Sequence, residues 1–428
     1  MYLRGSKWSM NRRRQRPNWF RIILLVLLIA GGLYLDRFVI PSTPSPFEPT
    51  PTPTRPPESF VTDAESLFAQ GKLVQSIQAY QQAIAANPKD AAYYVDLARV
   101  QVFNGDYTDA QKSAENALLL NPNNSMAYAR LAWAQDFEGD PLAGEASIKK
   151  ALAIDDKNAV AHAYYAEILI DEGPDTVQKA IDESKIAQQL APDTLETHRA
   201  RGYVLENTAN YEEAIREYQA AIQVNGNLAD LHMAVGRNYQ YLGIYDKAIE
   251  EYTLANTLNP TDPVPNFLIS RTYAGVGEFA KAMQYAEAAV KNKSADAKYI
   301  GNLGVMYYHN NLWPDAIKEF DLAVNGGTTQ DGLKVDPIQL VPTSPATVAE
   351  IYFTYALVLA KSNRCGDALQ IAQTINTRIP SNQLAVDNAA AAVQICQQNL
   401  NAPPTSTQAV PNATQAIPTK TPVVTPTP

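Results

Sequence analysis

The sequence predicts an all-α solenoid, in which short helical hairpins stack side by side behind one separate apolar helix. Three observations predict it. Residues 227–260, NLADLHMAVGRNYQYLGIYDKAIEEYTLANTLNP, read as two amphipathic helices joined by a tight turn. The same pattern recurs along the chain at a spacing of 34 residues, broken by two insertions. Three fixed places in every copy hold a small residue, with a single exception.

Within the unit, Leu231, Val235, Tyr239 and Leu242 fall three or four apart, so one face of a first helix is apolar. Gly243 can take positive φ after the last turn and stops that helix. Asp246 and Lys247 open a second helix with Ile249, Tyr252 and Ala255 on its inner face. Asn259-Pro260 ends it, because the residue before a proline is pushed out of the helical region. Gly236, Ala248 and Ala255 stand where the two helices cross, and their size lets the backbones approach.

The phase of Gly236 is repeated by Ala64, Ala98, Ala132, Ala166, Gly202, Ser270, Gly304 and Ala356. That of Ala248 is repeated by Ser76, Ala110, Gly144, Ala180, Ala214, Ala282, Ala316 and Ala368. That of Ala255 is repeated by Ala83, Ala117, Ala151, Ala187, Ala221, Ala289, Ala323 and, as the exception, Ile375. Pro88, Pro122, Pro192, Pro260 and Pro380 close five of the nine units. NYEEAIREYQAAI (210–222) and YDKAIEEYTLA (245–255) resemble the consensus of the tetratricopeptide repeat, and the resemblance runs from about residue 59 to 380. Asp156, Gly226, Ser294 and Thr328 depart from it in place of the closing proline. His162, His198 and His232 stand where the family usually has a large aromatic. The resemblance implies a right-handed superhelix whose concave groove binds peptides or helices of partner proteins.

The chain then reads in order. Residues 1–21 carry seven basic groups and no acid, and 22–35, IILLVLLIAGGLYL, are uninterruptedly apolar. With flanking aromatics the stretch 22–40 approaches the ~30 Å of a hydrocarbon core, and it is read as an uncleaved signal-anchor. A cleaved signal peptide ending near Ala30-Gly31-Gly32 is the competing reading. Either way the basic leader stays in the cytoplasm and the repeats are expected outside it. Residues 41–58, PSTPSPFEPTPTPTRPPE, form an extended spacer at about 3.1 Å per residue. Repeats one to eight occupy 59–328, an inserted loop 329–346, and repeat nine with a capping helix 347–400. In the loop, GLKVDPIQLVP alternates apolar and polar residues, which suggests a short hairpin around Asp336-Pro337. The cap should turn Leu384, Ala391 and Ile395 inward, because nothing stacks on a terminal repeat. A Thr/Pro-rich tail, 401–428, is expected to be disordered.

Charge and motifs narrow the function. Residues 59–400 hold 25 Lys and Arg against 41 Asp and Glu, a net of −16, which argues against a nucleic-acid partner. No P-loop, HExxH, CxxC or GxSxG occurs, so no catalytic residue, cofactor or small-molecule substrate is expected. His162, His198 and His232 share one phase, but helices ~8–10 Å apart keep them from converging on one metal ion, and they are read as packing residues. Cys365 opens the second helix of repeat nine and Cys396 lies near the end of the cap. A disulfide between them is expected to pin the cap, in an oxidising compartment.

By the resemblance, first helices line the groove. Repeats five to seven place Arg199, Tyr203, Glu206, Asn207, Met233, Arg237, Gln240, Tyr241, Phe267 and Arg271 there. Arg237 and Arg271 are equivalent and should form a ladder. They either hold a partner's carboxylates by forked hydrogen bonds or pair with Glu196, Glu206 and Asp230 in the same groove. The expected function is a membrane-anchored scaffold for protein partners. The alternatives are a structural spacer of the envelope and a noncatalytic subunit of an envelope assembly machine.

Overall fold

The structure, a computed structural model, describes residues 18–34, Arg37 and 55–401 of the chain. The leader up to residue 17, most of the spacer and the tail from 402 onward lie outside the described residues. Two units are distinguished, Met1–Pro56 and Pro57–Pro428.

The first unit contributes α1 (Trp19–Tyr34), apolar on every side after Arg21 in its first turn and with no residue buried. Its 16 residues rise about 24 Å, short of a ~30 Å hydrocarbon core. Among the described residues no helix is long and apolar enough to cross a membrane. The segment expected to span, 22–40, is described as helix only as far as Tyr34, and 35, 36 and 38–40 lie outside the described residues.

The second unit is built of helix pairs. They are α2 (Pro57–Ala69) with α3 (Leu73–Ala86), α4 (Ala91–Asn104) with α5 (Tyr107–Leu120), and α6 (Ser125–Phe137) with α7 (Pro141–Ile154). Next come α8 (Ala159–Glu172) with α9 (Val177–Leu190), α10 (Leu195–Asn207) with α11 (Tyr211–Val224), and α12 (Ala229–Tyr241) with α13 (Tyr245–Leu258). Then follow α14 (Pro263–Gly275) with α15 (Phe279–Asn292), α16 (Ala297–His309) with α17 (Trp313–Asn325), and α18 (Ala346–Lys361) with α19 (Cys365–Arg378). The last helix is α20 (Gln383–Asn401). Several first helices open on a cap: the side chains of Asp90, Asn124, Asn158, Thr194, Asp262 and Asp296 accept from backbone N–H groups two or three residues on.

The turn inside each pair repeats one backbone conformation. Gly71, Gly105, Gly139, Gly243 and Gly277 take positive φ there, and so do Ala209, Asn311 and Asn363 at the same phase. Repeat four differs, because its two extra residues form a 3-10 turn over Pro174–Thr176. All 27 positions of the small-residue phases are buried. The close approach is literal. A Cβ at Gly202, Gly236 or Gly304 would lie 2.8, 2.5 or 2.9 Å from the ring of Tyr218, Tyr252 or Phe320 on the second helix.

Two local expectations need correction. The inserted loop does form a two-stranded antiparallel hairpin, Gly327–Thr328 with Lys334–Val335, but its apex is 329–333 and not Asp336-Pro337. Gly332, at φ +80°, makes the reversal, and Gly332 N–H donates to Thr329 O at 3.0 Å. Pro337 follows the second strand, where the chain lies on α17 and Ile338 N–H donates to Ala323 O at 2.9 Å. In α20 the buried face is Ala385, Ala389, Ala392 and Cys396; of the residues expected inward, Ile395 packs half-buried against the core and Ala391 is half-buried, while Leu384 is exposed. The helix is turned by one residue because Cys396 bonds Cys365, with Cα atoms 5.4 Å apart, and that bridge fixes which side faces α19. Small alanines then meet α18.

One long-range feature has no counterpart in the sequence reading. The side chain of Asn225 donates to Phe68 O at 3.2 Å and that of Asn227 to Ala69 O at 2.8 Å. Phe68 and Leu97 share an apolar core with Leu195, Leu228 and Leu231. Arg99 pairs with Glu196 at 2.8 Å. The array therefore closes on itself over its first six repeats, repeat one meeting the junction of repeats five and six.

Candidate functional site

The first helices touch their next-but-one neighbours, α4 with α6, α6 with α8 and α8 with α10, so they line the inside of the closed segment. Each is amphipathic on two sides. One side packs on its own second helix, and the other brings polar residues into the interior. Where they are buried, those groups pair mainly with one another.

Arg199 on α10 is the centre of this network. It pairs with Glu167 and, at 3.3 Å, with Asp230, and it lies 5.0 Å from the ring of Trp133. Burial alone would lower the guanidinium, but the Glu167 and Asp230 charges outweigh it and raise its pKa. Arg237 donates twice to Glu206, at 2.9 and 3.3 Å, and Tyr218 and Asn238 donate to the same carboxylate. Arg271 pairs instead with Glu350 on α18 at 2.7 Å. The two equivalent arginines thus form no ladder: one reaches back to repeat five and the other forward to repeat nine. Glu196 is taken by Arg99 and Arg130 and not by a groove arginine of repeats five to seven. Both of those cations hold its pKa down against the burial that would raise it.

The other expected groove residues divide by exposure. Tyr203 donates to Asp171 at 2.5 Å, and Gln240 accepts from Tyr252 at 2.9 Å. Phe267 is buried edge-on against Tyr299, centroids 5.6 Å apart, with Lys298 above it. Met233 is half-buried at the edge of the interior. Tyr241 is 60% exposed and stacked on Tyr211, and Asn207 is exposed beside it in phase.

The interior also holds Asp136, Glu167 and Asp171, which the sequence reading missed. They line a cavity of about 250 Å³ together with Arg199, Tyr203 and Met233. Burial first, then the charge of Asp171, pushes Asp136 up to about 8. The signal was present. Arg99, Trp133, Glu167 and Tyr203 occupy the phase of Arg237, and Asp136 and Asp171 occupy those of Glu206 and Asn207. Following those phases back from repeat five to repeat three would have found them.

The three histidines share a role. His162, His198 and His232 each contact a carboxylate of their own second helix, Glu183 at 2.6 Å, Glu217 at 2.8 Å and Glu251 at 2.7 Å. Among the described residues no group of three or more His, Cys, Asp or Glu is placed to hold a metal ion.

Family models described as tetratricopeptide repeat match residues 67–134, 200–228, 229–262 and 267–331. No curated protein matches the chain. Among solved structures the chain is similar to a human IFIT1 dimer with PPP-AAAA, at 17% identity and TM-score 0.45, covering 62% of this chain and 72% of that one. It is similar to the APC/C hetero-tetramer Cut9-Hcn1, at 14% identity and TM-score 0.47, covering 67% and 54%. A third is a tetratricopeptide repeat protein from Parabacteroides merdae, at 15% identity and TM-score 0.39, covering 58% and 98%. These matches fall on helix pairs that bury the repeat's small residues, so the array carries tetratricopeptide repeats.

Proposed function

We propose that the chain is a membrane-anchored scaffold, with its repeats outside the cytoplasm, that brings proteins together and carries out no chemistry of its own. The observation that carries this reading is a contrast within one chain. The helix α1 leaves every apolar side chain exposed, whereas the repeat helices bury most of theirs. A helix apolar on all sides beyond its first turn calls for an apolar surround, and six basic residues ahead of it with Arg21 in its first turn, and no acid, match a cytoplasmic flank. The bridge between Cys365 and Cys396 agrees with an oxidising compartment. Tetratricopeptide repeat proteins generally bind protein partners, and the exposed Tyr241–Tyr211 stack offers an aromatic anchor for one.

The test is made in intact cells. Protease added from outside should cut the repeats, and the chain should stay with the membrane after alkaline extraction. Release into the soluble fraction would overturn the anchor. Crosslinking followed by identification of what is trapped should recover a protein that Tyr241→Arg loses.

A specific observation favours a second reading, a structural spacer or noncatalytic envelope subunit. The groove arginines Arg199, Arg237 and Arg271 are already paired within the chain. Recovery of no crosslinked protein would favour it.

A further inference from the structure

The cavity among Asp136, Glu167, Asp171, Arg199, Tyr203 and Met233 measures about 250 Å³. It adjoins a second of about 490 Å³ on the inside of the repeat-one to repeat-six closure, and the two share Tyr107, Phe137, Arg199, Asp230 and Met233. Its polar groups are not balanced. Arg199 is committed to Glu167 and Asp230, and Arg237 to Glu206. The charge of Asp171 acts on Asp136, and Arg199, the cation that acts on both, is already paired with Glu167 and Asp230. Two carboxylate oxygens of lining residues, Asp136 Oδ1 and Glu167 Oε1, are buried and have no hydrogen-bond partner, on residues only 7% and 2% exposed. Leaving such atoms unpaired costs about 1–3 kcal/mol each, more for a charged group. Beside them the rings of Tyr107 and Phe137 stack with centroids 5.2 Å apart, and Phe137 is 38% exposed at the mouth.

We infer that this cavity is a binding site for an alkylammonium group. An ammonium brings three N–H donors and one positive charge, which suits the unpaired oxygens of Asp136 and Glu167 and the excess of carboxylates. Its aliphatic stem would lie on Tyr107, Phe137 and Met233, where aromatic faces also favour a cation. The elevated pKa of Asp136, set first by burial and then by the charges of Asp171 and Glu167, agrees. The group comes either from a free amine or from a lysine side chain of a polypeptide. The site is independent of the scaffold reading, because a partner held on the outer faces would still be captured in cells if no ammonium bound here.

The experiment is calorimetric titration of the full chain, in nonionic detergent, with pentane-1,5-diamine and with the uncharged pentane-1,5-diol. The peptide acetyl-Gly-Lys-Gly-amide and its Nε-acetylated form are titrated beside them. Saturable one-to-one binding of the diamine or of the lysine peptide, with none of the diol or the acetylated peptide, is the expected result. Diamine binding assigns a free amine, and binding of the peptide alone assigns a lysine side chain. Asp171→Asn keeps an oxygen for Tyr203 to donate to and should weaken binding at least tenfold. Met233→Trp, at the edge of the cavity, should block it with helical circular dichroism unchanged. Absence of saturable binding by both amines at millimolar concentration would overturn the inference. So would equal binding by wild type and both variants.

Discussion

Gly236 has the ring of Tyr252 where its own Cβ would be, at 2.5 Å from the nearest ring carbon. The residue is therefore small because the second helix carries an aromatic, and the same holds for Gly202 with Tyr218 and Gly304 with Phe320. Gly236→Ala should destabilise the array by about 1–3 kcal/mol, the usual range for overpacking. Tyr252→Leu in the same chain should recover most of that loss. Denaturant unfolding of the four chains checks the coupling, and additive effects would contradict the contact. At the turn, Ala209 holds φ +58° where five other repeats have glycine. An L residue in that region is strained by roughly 1–2 kcal/mol, less the entropy that glycine loses. Ala209→Gly should therefore stabilise by about 0.5–1 kcal/mol, read as a rise in the unfolding midpoint. The turn was legible at Gly243, where glycine announces itself. It was not legible at Ala209, Asn311 or Asn363, whose conformation is set by the helices on either side.

At the scale of the helix pair, the histidines replace aromatic packing with a polar tie between first and second helix. In His162 and His232 burial would lower the pKa, but the hydrogen bonds to Glu183 and Glu251 and to backbone carbonyls outweigh it, and both are raised. A raised histidine stabilises fully below its unfolded value of about 6.5 and loses that contribution as pH rises through the folded value. The thermal midpoint should thus fall from pH 6 to pH 8. Asp136, also raised, moves it the same way, so the histidine share is the part that disappears in His162→Phe with His232→Phe. A pH profile unchanged by that double variant would contradict the tie. The cap was legible as a helix, and so were its cysteines, because phase alone placed Cys365 and Cys396 together. Its rotation was not legible: Leu384 is the larger apolar residue, yet the bridge selects the alanine face. Closing a loop of 31 residues constrains the unfolded chain by about 3–4 kcal/mol in the entropy model. Reduction should therefore raise amide exchange in α19 and α20 first, as measured by mass spectrometry. Uniform change along the array would contradict a local pin.

Over the repeat array, a constant interval of small residues dictates neighbour-to-neighbour stacking, and that much is written in the sequence. Closure is not. It joins Asn227 to Ala69 across 158 residues and Asn225 to Phe68 across 157, and no short-range pattern encodes a contact that depends on curvature summed over six repeats. The same closure explains why groove residues chosen by phase divide into buried and exposed sets. Inside it, Arg199 and Tyr203 must find partners in the chain, whereas Tyr241 remains free to meet another surface. Gly71 is the tight point of the closure: it has φ +70°, and a Cβ there would lie 2.4 Å from Asn227 O. Gly71→Ala should open the contact and lower stability by more than Asn227→Ala, which removes one hydrogen bond worth about 1 kcal/mol.

The most direct measurement is the distance between spin labels at exposed Lys72 and Val224, read by dipolar electron resonance on the full chain. A closed array predicts a separation within about two helix diameters, ~20–25 Å. A distribution centred beyond ~40 Å, as five repeats stacked ~8–10 Å apart in an open array would give, would contradict the closure and the interior network built on it.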